Sequence, residues 1–127
     1  MTVYVDDIRI PAKVGRYQAR WSHLIADTRE ELHEFAARTG LIRSWFQDPV
    51  VNGKPKATPG TLEAEMWHYD VTDAKRKEAI TLGAVAVPWR DLPGIIEARF
   101  ASLGGTLPVT VQEPAGQLGL WDAGRAR

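Results

Sequence analysis

A chain of 127 residues with 44% hydrophobic residues, five Trp among them, is one domain's worth and has the material for a core. It contains no cysteine, which excludes disulfides, thiolate metal sites and a cysteine nucleophile. Sixteen basic and sixteen acidic residues cancel, which argues against a nucleic-acid coat protein that works by bulk charge, so any anion binding must be local.

The start, Met1-Thr2-Val3-Tyr4-Val5-Asp6-Asp7, lacks the basic and apolar parts of a signal peptide, and no apolar run approaches a membrane span. The expectation is a cytoplasmic chain with no membrane partner. Val3-Tyr4-Val5 reads as a first, central strand ending in two carboxylates. An irregular segment with Pro11 and Gly15 follows. From Ile8 through Ala26 there is no acidic residue, while Arg9, Lys13, Arg16 and Arg20 are interleaved with Tyr17 and Trp21. Such a mixture can hold a phosphate or stack a base, with Arg16 and Arg20 as the phosphate candidates, or it is a solvated basic loop whose aromatics are core.

Asp27-Thr28 opens a helix with Thr28 and Glu31 in capping-box spacing, Leu32, Phe35, Ala36 and Thr39 on one face, and Gly40 as its stop. Residues 41–46 are a second strand candidate. Pro49, Asn52-Gly53, Pro55 and Pro59 mark an irregular insertion over residues 48–65. Met66-Trp67-His68-Tyr69-Asp70-Val71 resumes as strand, and Thr72-Asp73 caps a helix that Gly83 stops. Ala84-Val85-Ala86-Val87 reads as a buried strand, and a third helix runs from near Asp91, with Pro93 in its first turn, to Leu103.

Residues 28–45 and 73–89 echo each other as helix, Gly stop, short strand and Trp. That alternation predicts an α/β fold, a two-layer or three-layer sandwich with a short, mainly parallel sheet and about three helices. The domain is expected over residues 1–111, with residues 107–111 as an edge strand, and residues 112–127 as a flexible tail. In a parallel sheet ligands gather at the carboxyl ends of strands, where Asp6 and Asp7 lie.

Adjacent carboxylates at a strand end point to opposite faces, so one of Asp6 and Asp7 would ligate a hard cation such as magnesium or manganese. At the level of fold analogy alone this is similar to PIN-type nucleases; the bland alternative is a turn cap. His68 and Asp70, two apart, share a face in extended chain, so Asp70 would orient an imidazole that acts as base or ligand, unless it caps the helix that follows. His23 is placed to join them, giving a mixed carboxylate and imidazole catalytic site. His33 reads as a packed histidine in the middle of a helix.

The set Thr2-Val3-Tyr4-Val5-Asp6-Asp7, Arg20-Trp21-Ser22-His23-Leu24, Asp27-Thr28-Arg29-Glu30-Glu31-Leu32-His33, Ser44-Trp45-Phe46 and His68-Tyr69-Asp70-Val71-Thr72 resembles the small bacterial and phage family called domain of unknown function 4031, over the chain to about Trp89. The resemblance implies a family pattern and no activity. In the tail, Gln117-Leu118-Gly119-Leu120-Trp121 resembles the bacterial sliding-clamp-binding motif, with Gln117, Leu118, Leu120 and Trp121 on its key positions. That implies a clamp partner, the alternative being a tail that folds back onto its own core. The combined expectation is a DNA replication or repair protein, tethered to the clamp, with a metal-dependent phosphodiester or nucleotide hydrolysis site. The alternatives are a non-catalytic interaction module, or a nucleotide or phosphate binder, in which the His and Asp residues are structural.

Overall fold

The computed structural model describes residues 2–105. β1 (Val3–Val5) is a short strand whose two valines are buried. Where an irregular segment was expected, the chain forms a hairpin: β2 (Ile10–Val14) and β3 (Tyr17–Ala26) pair antiparallel across a turn in which Gly15 takes a φ of +60°. Pro11 is compatible with β2 because, among the described residues, that strand pairs only with β3. The first residues of β3 are mostly exposed, whereas Trp21 through Ala26 are all buried. A strand that changes character halfway offers no single period to read.

Among the described residues six strands form one sheet, in the order β4 (Phe46–Gln47), β5 (His68–Thr72), β3, β1, β6 (Val85–Ala86), with β2 attached to β3. Among the described residues β1 and β6 pair parallel and every other pair is antiparallel, so the expected mainly parallel sheet is corrected. The reason is the hairpin. β5, β1 and β6 run the same way, as the helix-strand echo implied, but β3 arrives between β5 and β1 in the opposite sense and turns both contacts antiparallel.

The helices follow their caps closely. α1 (Arg29–Arg38) starts where Thr28 Oγ1 accepts the Glu31 N–H at 3.1 Å, and the chain leaves it at Gly40, with a φ of +78°. Residues 41–46 are not a strand: a single 3₁₀ turn over Arg43–Trp45 precedes the two residues of β4. Within the expected irregular insertion, α2 (Pro49–Asn52) forms because Asp48 accepts the Val50 N–H and Pro49 pre-sets its first turn. α3 (Asp73–Thr81) is capped by Thr72, leaving Asp70 out of that role. α4 (Leu92–Ser102) carries Pro93 in its first turn. β6 is an edge strand with Val85 exposed, not the buried strand its apolar run suggested.

The result is three layers. α1 and α3 cover one face, where Leu32, Phe35 and Ala79 meet Val5, Leu24, Tyr69 and Val71. α4 covers the other, where Leu92, Ile96 and Phe100 meet Ile25, and Leu62 of the insertion and Met66 just after it join the same core. Arg99 of α4 ties these parts together: its guanidinium donates to the carbonyls of Ala26 and Glu65 and lies 3.9 Å from the Trp67 ring centre. Burial lowers its pKa to about 10. The expected strand at residues 107–111 and the tail at 112–127 lie outside the described residues.

Candidate functional site

The site begins with a mismatch in strand length. Val5 pairs with Leu24 and Ile10 with Trp21, so residues 6–9 must span a gap that Ser22 and His23 span on β3. Extra residues on one strand make a bulge, and a bulge leaves ladder donors to be satisfied otherwise. Asp6 does this with its side chain. Its backbone N–H donates to His23 O at 3.0 Å, and its Oδ1 accepts the His23 N–H at 2.8 Å in place of a carbonyl. Arg9 takes a φ of +50° to re-enter the ladder, and Arg76 of α3 donates from Nε to the Asp6 carbonyl at 2.7 Å.

The same carboxylate orients an imidazole. Asp6 Oδ2 lies 2.7 Å from His23 Nδ1, so Nδ1 carries a proton, and in the neutral form of the ring Nε2 is the lone-pair nitrogen. His68 is fixed in the same sense by a different acceptor, the Met66 carbonyl, 3.0 Å from its Nδ1. The strand register supplies the third group: His23 stands opposite Asp70, and Asp70 is two residues from His68 on the same face. The two imidazoles meet edge to face with centres 5.1 Å apart, and His68 Nε2 is 3.2 Å from Asp70 Oδ1. One ligand atom from each of His23, His68 and Asp70 lies within 4.8 Å of the others. Asp6, His23, His68 and Asp70 are 1%, 1%, 3% and 2% exposed.

Charge balance limits what this cluster can be. As carboxylates, Asp6 and Asp70 bring two negative charges into a buried volume, where uncompensated charge is costly. Two imidazolium protons balance them, and so does one divalent cation. With Nδ1 of His68 donating to a carbonyl, a neutral ring would face Asp70 Oδ1 with a lone pair at 3.2 Å, two acceptors in contact. A proton or a cation resolves that repulsion. The donor set of two nitrogens and a carboxylate suits zinc and its first-row neighbours; magnesium prefers oxygen alone.

The other residues singled out from sequence are placed differently. Asp7 is exposed and accepts the Trp89 N–H at 2.8 Å, so it anchors the turn before α4 and stands outside the cluster. Asp6 lies behind His23, and its Oδ1 also accepts the Ile8 N–H at 3.5 Å, so it contacts both the imidazole and the turn that follows β1. Arg16, at the hairpin turn, has its guanidinium 5.7 Å from the Tyr17 ring centre and borders a cavity of about 410 Å³ that Asp70 also lines. Arg20 is exposed on β3, opposite Pro11, and does not line that cavity. Gln117, Leu118, Leu120 and Trp121 lie outside the described residues.

Sequence reading passed over the Met66 carbonyl and Arg76, which hold the cluster, and Leu41, Trp45 and Lys75, which line the cavity. Backbone acceptors leave no mark in a sequence. Trp45 did, as a large aromatic within the strand candidate at residues 41–46, which is a 3₁₀ turn at that point. On the opposite face of the sheet His33 Nδ1 lies 2.8 Å from Tyr69 Oη. Burial, then the charges of Arg43 and Arg29, lower the His33 pKa, and burial raises that of the Tyr69 phenol.

No helix among the described residues is long and apolar enough to cross a membrane. A family model described as "Protein of unknown function (DUF4031)" matches residues 3–99, a span that contains the bulge, both cluster histidines and Asp70. No curated protein and no solved structure matches the chain.

Proposed function

The chain belongs to the DUF4031 family, whose description names no activity, and we propose from the geometry of the buried cluster that the domain is a metal-dependent hydrolase of phosphate esters. His23, His68 and Asp70 hold a zinc-like divalent ion in this reading, and Asp6 orients His23 from behind. The observation that carries it is the paired tautomer control: both Nδ1 atoms face groups that only accept, a carboxylate at 2.7 Å and a carbonyl at 3.0 Å. That arrangement behind a ligand imidazole is the usual support of histidine metal sites. Zinc bonds of about 2.0–2.1 Å bring tetrahedral ligand atoms to about 3.3 Å of one another, a spacing His68 and Asp70 already have at 3.2 Å. Such an ion lowers the pKa of bound water to about 7 and polarises a phosphoryl oxygen. Asp70 belongs to both the cluster and the cavity lining, so in this reading the cavity is where substrate would approach the ion.

The test is metal content and activity together. The full chain is expected to take up one zinc by calorimetry and elemental analysis, and to hydrolyse bis(p-nitrophenyl) phosphate in a zinc-dependent way. His23→Ala and Asp70→Asn each lose both. If the wild-type chain takes up none of zinc, manganese or ferrous iron, the proton-balanced cluster stands instead. The domain is then a non-catalytic binding module with structural His and Asp residues.

A second proposal rests on sequence pattern alone and is independent of the first. Residues Gln117, Leu118, Leu120 and Trp121 tether the domain to a bacterial DNA sliding clamp, which would place it in replication or repair. Burying three large apolar side chains supports roughly micromolar affinity once ordering costs are subtracted. A peptide of residues 112–127 that shows no clamp binding, or a Leu120→Ala/Trp121→Ala chain that binds as wild type, removes this reading.

A further inference from the structure

The cavity beside Asp70 suggests what the site would act on. It runs along β5 from Asp70 through Val71 to Thr72, past the point where β4 stops pairing at Tyr69. Its walls include Trp21, Leu41, Trp45 and Val71, and its cations are Arg16 and Lys75. These are not equivalent. Lys75 Nζ donates to the Thr39 carbonyl at 2.8 Å and pairs with Glu78 at 3.2 Å, so its charge is already committed. Arg16 is exposed at the hairpin turn, over Tyr17, and its fork of donors matches a phosphate. The Trp21 indole is held rigid by donating to the Ala12 carbonyl at 2.9 Å. A volume of about 410 Å³ lies within the range of small-molecule sites, which combine apolar and aromatic walls with a few placed polar groups.

We propose that this cavity takes a phosphate monoester on a flat aromatic body, the ring among Trp21, Leu41 and Trp45 and the phosphate between Arg16 and the Asp70 end. The charge pattern favours this occupant over a neutral one, since among the described residues Arg16 is the lining cation with no carboxylate or carbonyl partner, and it borders a largely apolar space. The assignment of substrate class rests on the metal reading of the cluster, whereas the binding preference does not require the ion. That difference makes the two separable.

Adenosine 5′-monophosphate is the probe, titrated calorimetrically into the full chain with and without zinc, beside adenosine and inorganic phosphate. The expected result is at least tenfold tighter binding of the nucleotide than of either fragment. Arg16→Ala, an exposed turn position that the fold does not need, abolishes the advantage over adenosine. Trp45→Leu abolishes the advantage over phosphate, and both variants keep the zinc stoichiometry of the wild type. Nucleotide binding no tighter than phosphate, or an unchanged preference in Arg16→Ala, overturns the inference. A chain that binds nucleotide yet no metal refutes the catalytic reading while leaving the binding site standing. A chain that binds zinc but no nucleotide does the reverse.

Discussion

On one face of the β3 and β5 pair, Leu24, Tyr69 and Val71 close an apolar core beneath α1 and α3; on the other face, in the same run of residue pairs, His23, His68 and Asp70 gather beside Asp6. Both faces are almost wholly shielded from water. They differ in what burial requires. The apolar face needs only area and close packing, and two helices supply both. The polar face needs a partner for each donor and acceptor, and for Asp6, His23 and His68 the fold supplies partners with a strand bulge, a loop carbonyl and an arginine from α3. A face that demands this much local construction is expensive to keep for stability alone.

Separate substitutions on the two faces test that contrast. Leu24→Ala removes a fully buried side chain from the apolar face and is expected to cost about 2–5 kcal/mol, read by chemical denaturation, while the folded fraction binds zinc with wild-type affinity. Loss of zinc affinity in the folded fraction would mean the faces are not independent. Asp6→Asn works on the other side. The amide can still accept the His23 N–H, but its NH₂ cannot accept from Nδ1, so the imidazole loses the partner that sets its tautomer. Zinc affinity is expected to fall about 10–100-fold, equivalent to about 1.4–2.7 kcal/mol. An unchanged affinity would strip Asp6 of any role beyond closing the bulge.

The helices were legible because their signals are local. Thr28, Thr72 and Pro93 mark starts and Gly40 and Gly83 mark stops within a few residues of the ends observed. The sheet was not, because its order depends on β3, whose exposed first half follows Pro11 and Gly15 and masks a strand of 10 residues. The pairing of His68 with Asp70 follows from the period of two along a strand, and that much a sequence contains. The meeting of His23 with both depends on register, which two extra residues in a bulge decide, and no local pattern encodes it. Asp7 shows the same limit from the other side. An adjacent, chemically identical carboxylate ends up exposed at the Trp89 turn because the bulge rotates it away from Asp6.

The smallest effects expected are on the apolar face, at the polar contact between His33 and Tyr69. Tyr69→Phe deletes the hydroxyl 2.8 Å from His33 Nδ1 and is expected to cost about 1 kcal/mol at neutral pH with no change in zinc binding. The pH dependence of that contact has a definite sign. Burial and the flanking Arg43 and Arg29 hold the folded pKa of His33 below its ordinary value of about 6.5. As pH falls through that ordinary value the unfolded chain takes up a proton that the folded chain refuses, so the unfolded state gains stability. The contribution of His33 is therefore complete above about 6.5, declines below it, and levels off once the folded residue also protonates. Other groups of the chain also change charge with pH, so the quantity to measure is the difference between wild type and His33→Gln in denaturation midpoints at stepped pH. That difference should shift against the wild type as pH drops below about 6.5, and a constant difference would show that His33 is protonated as readily in the fold as outside it.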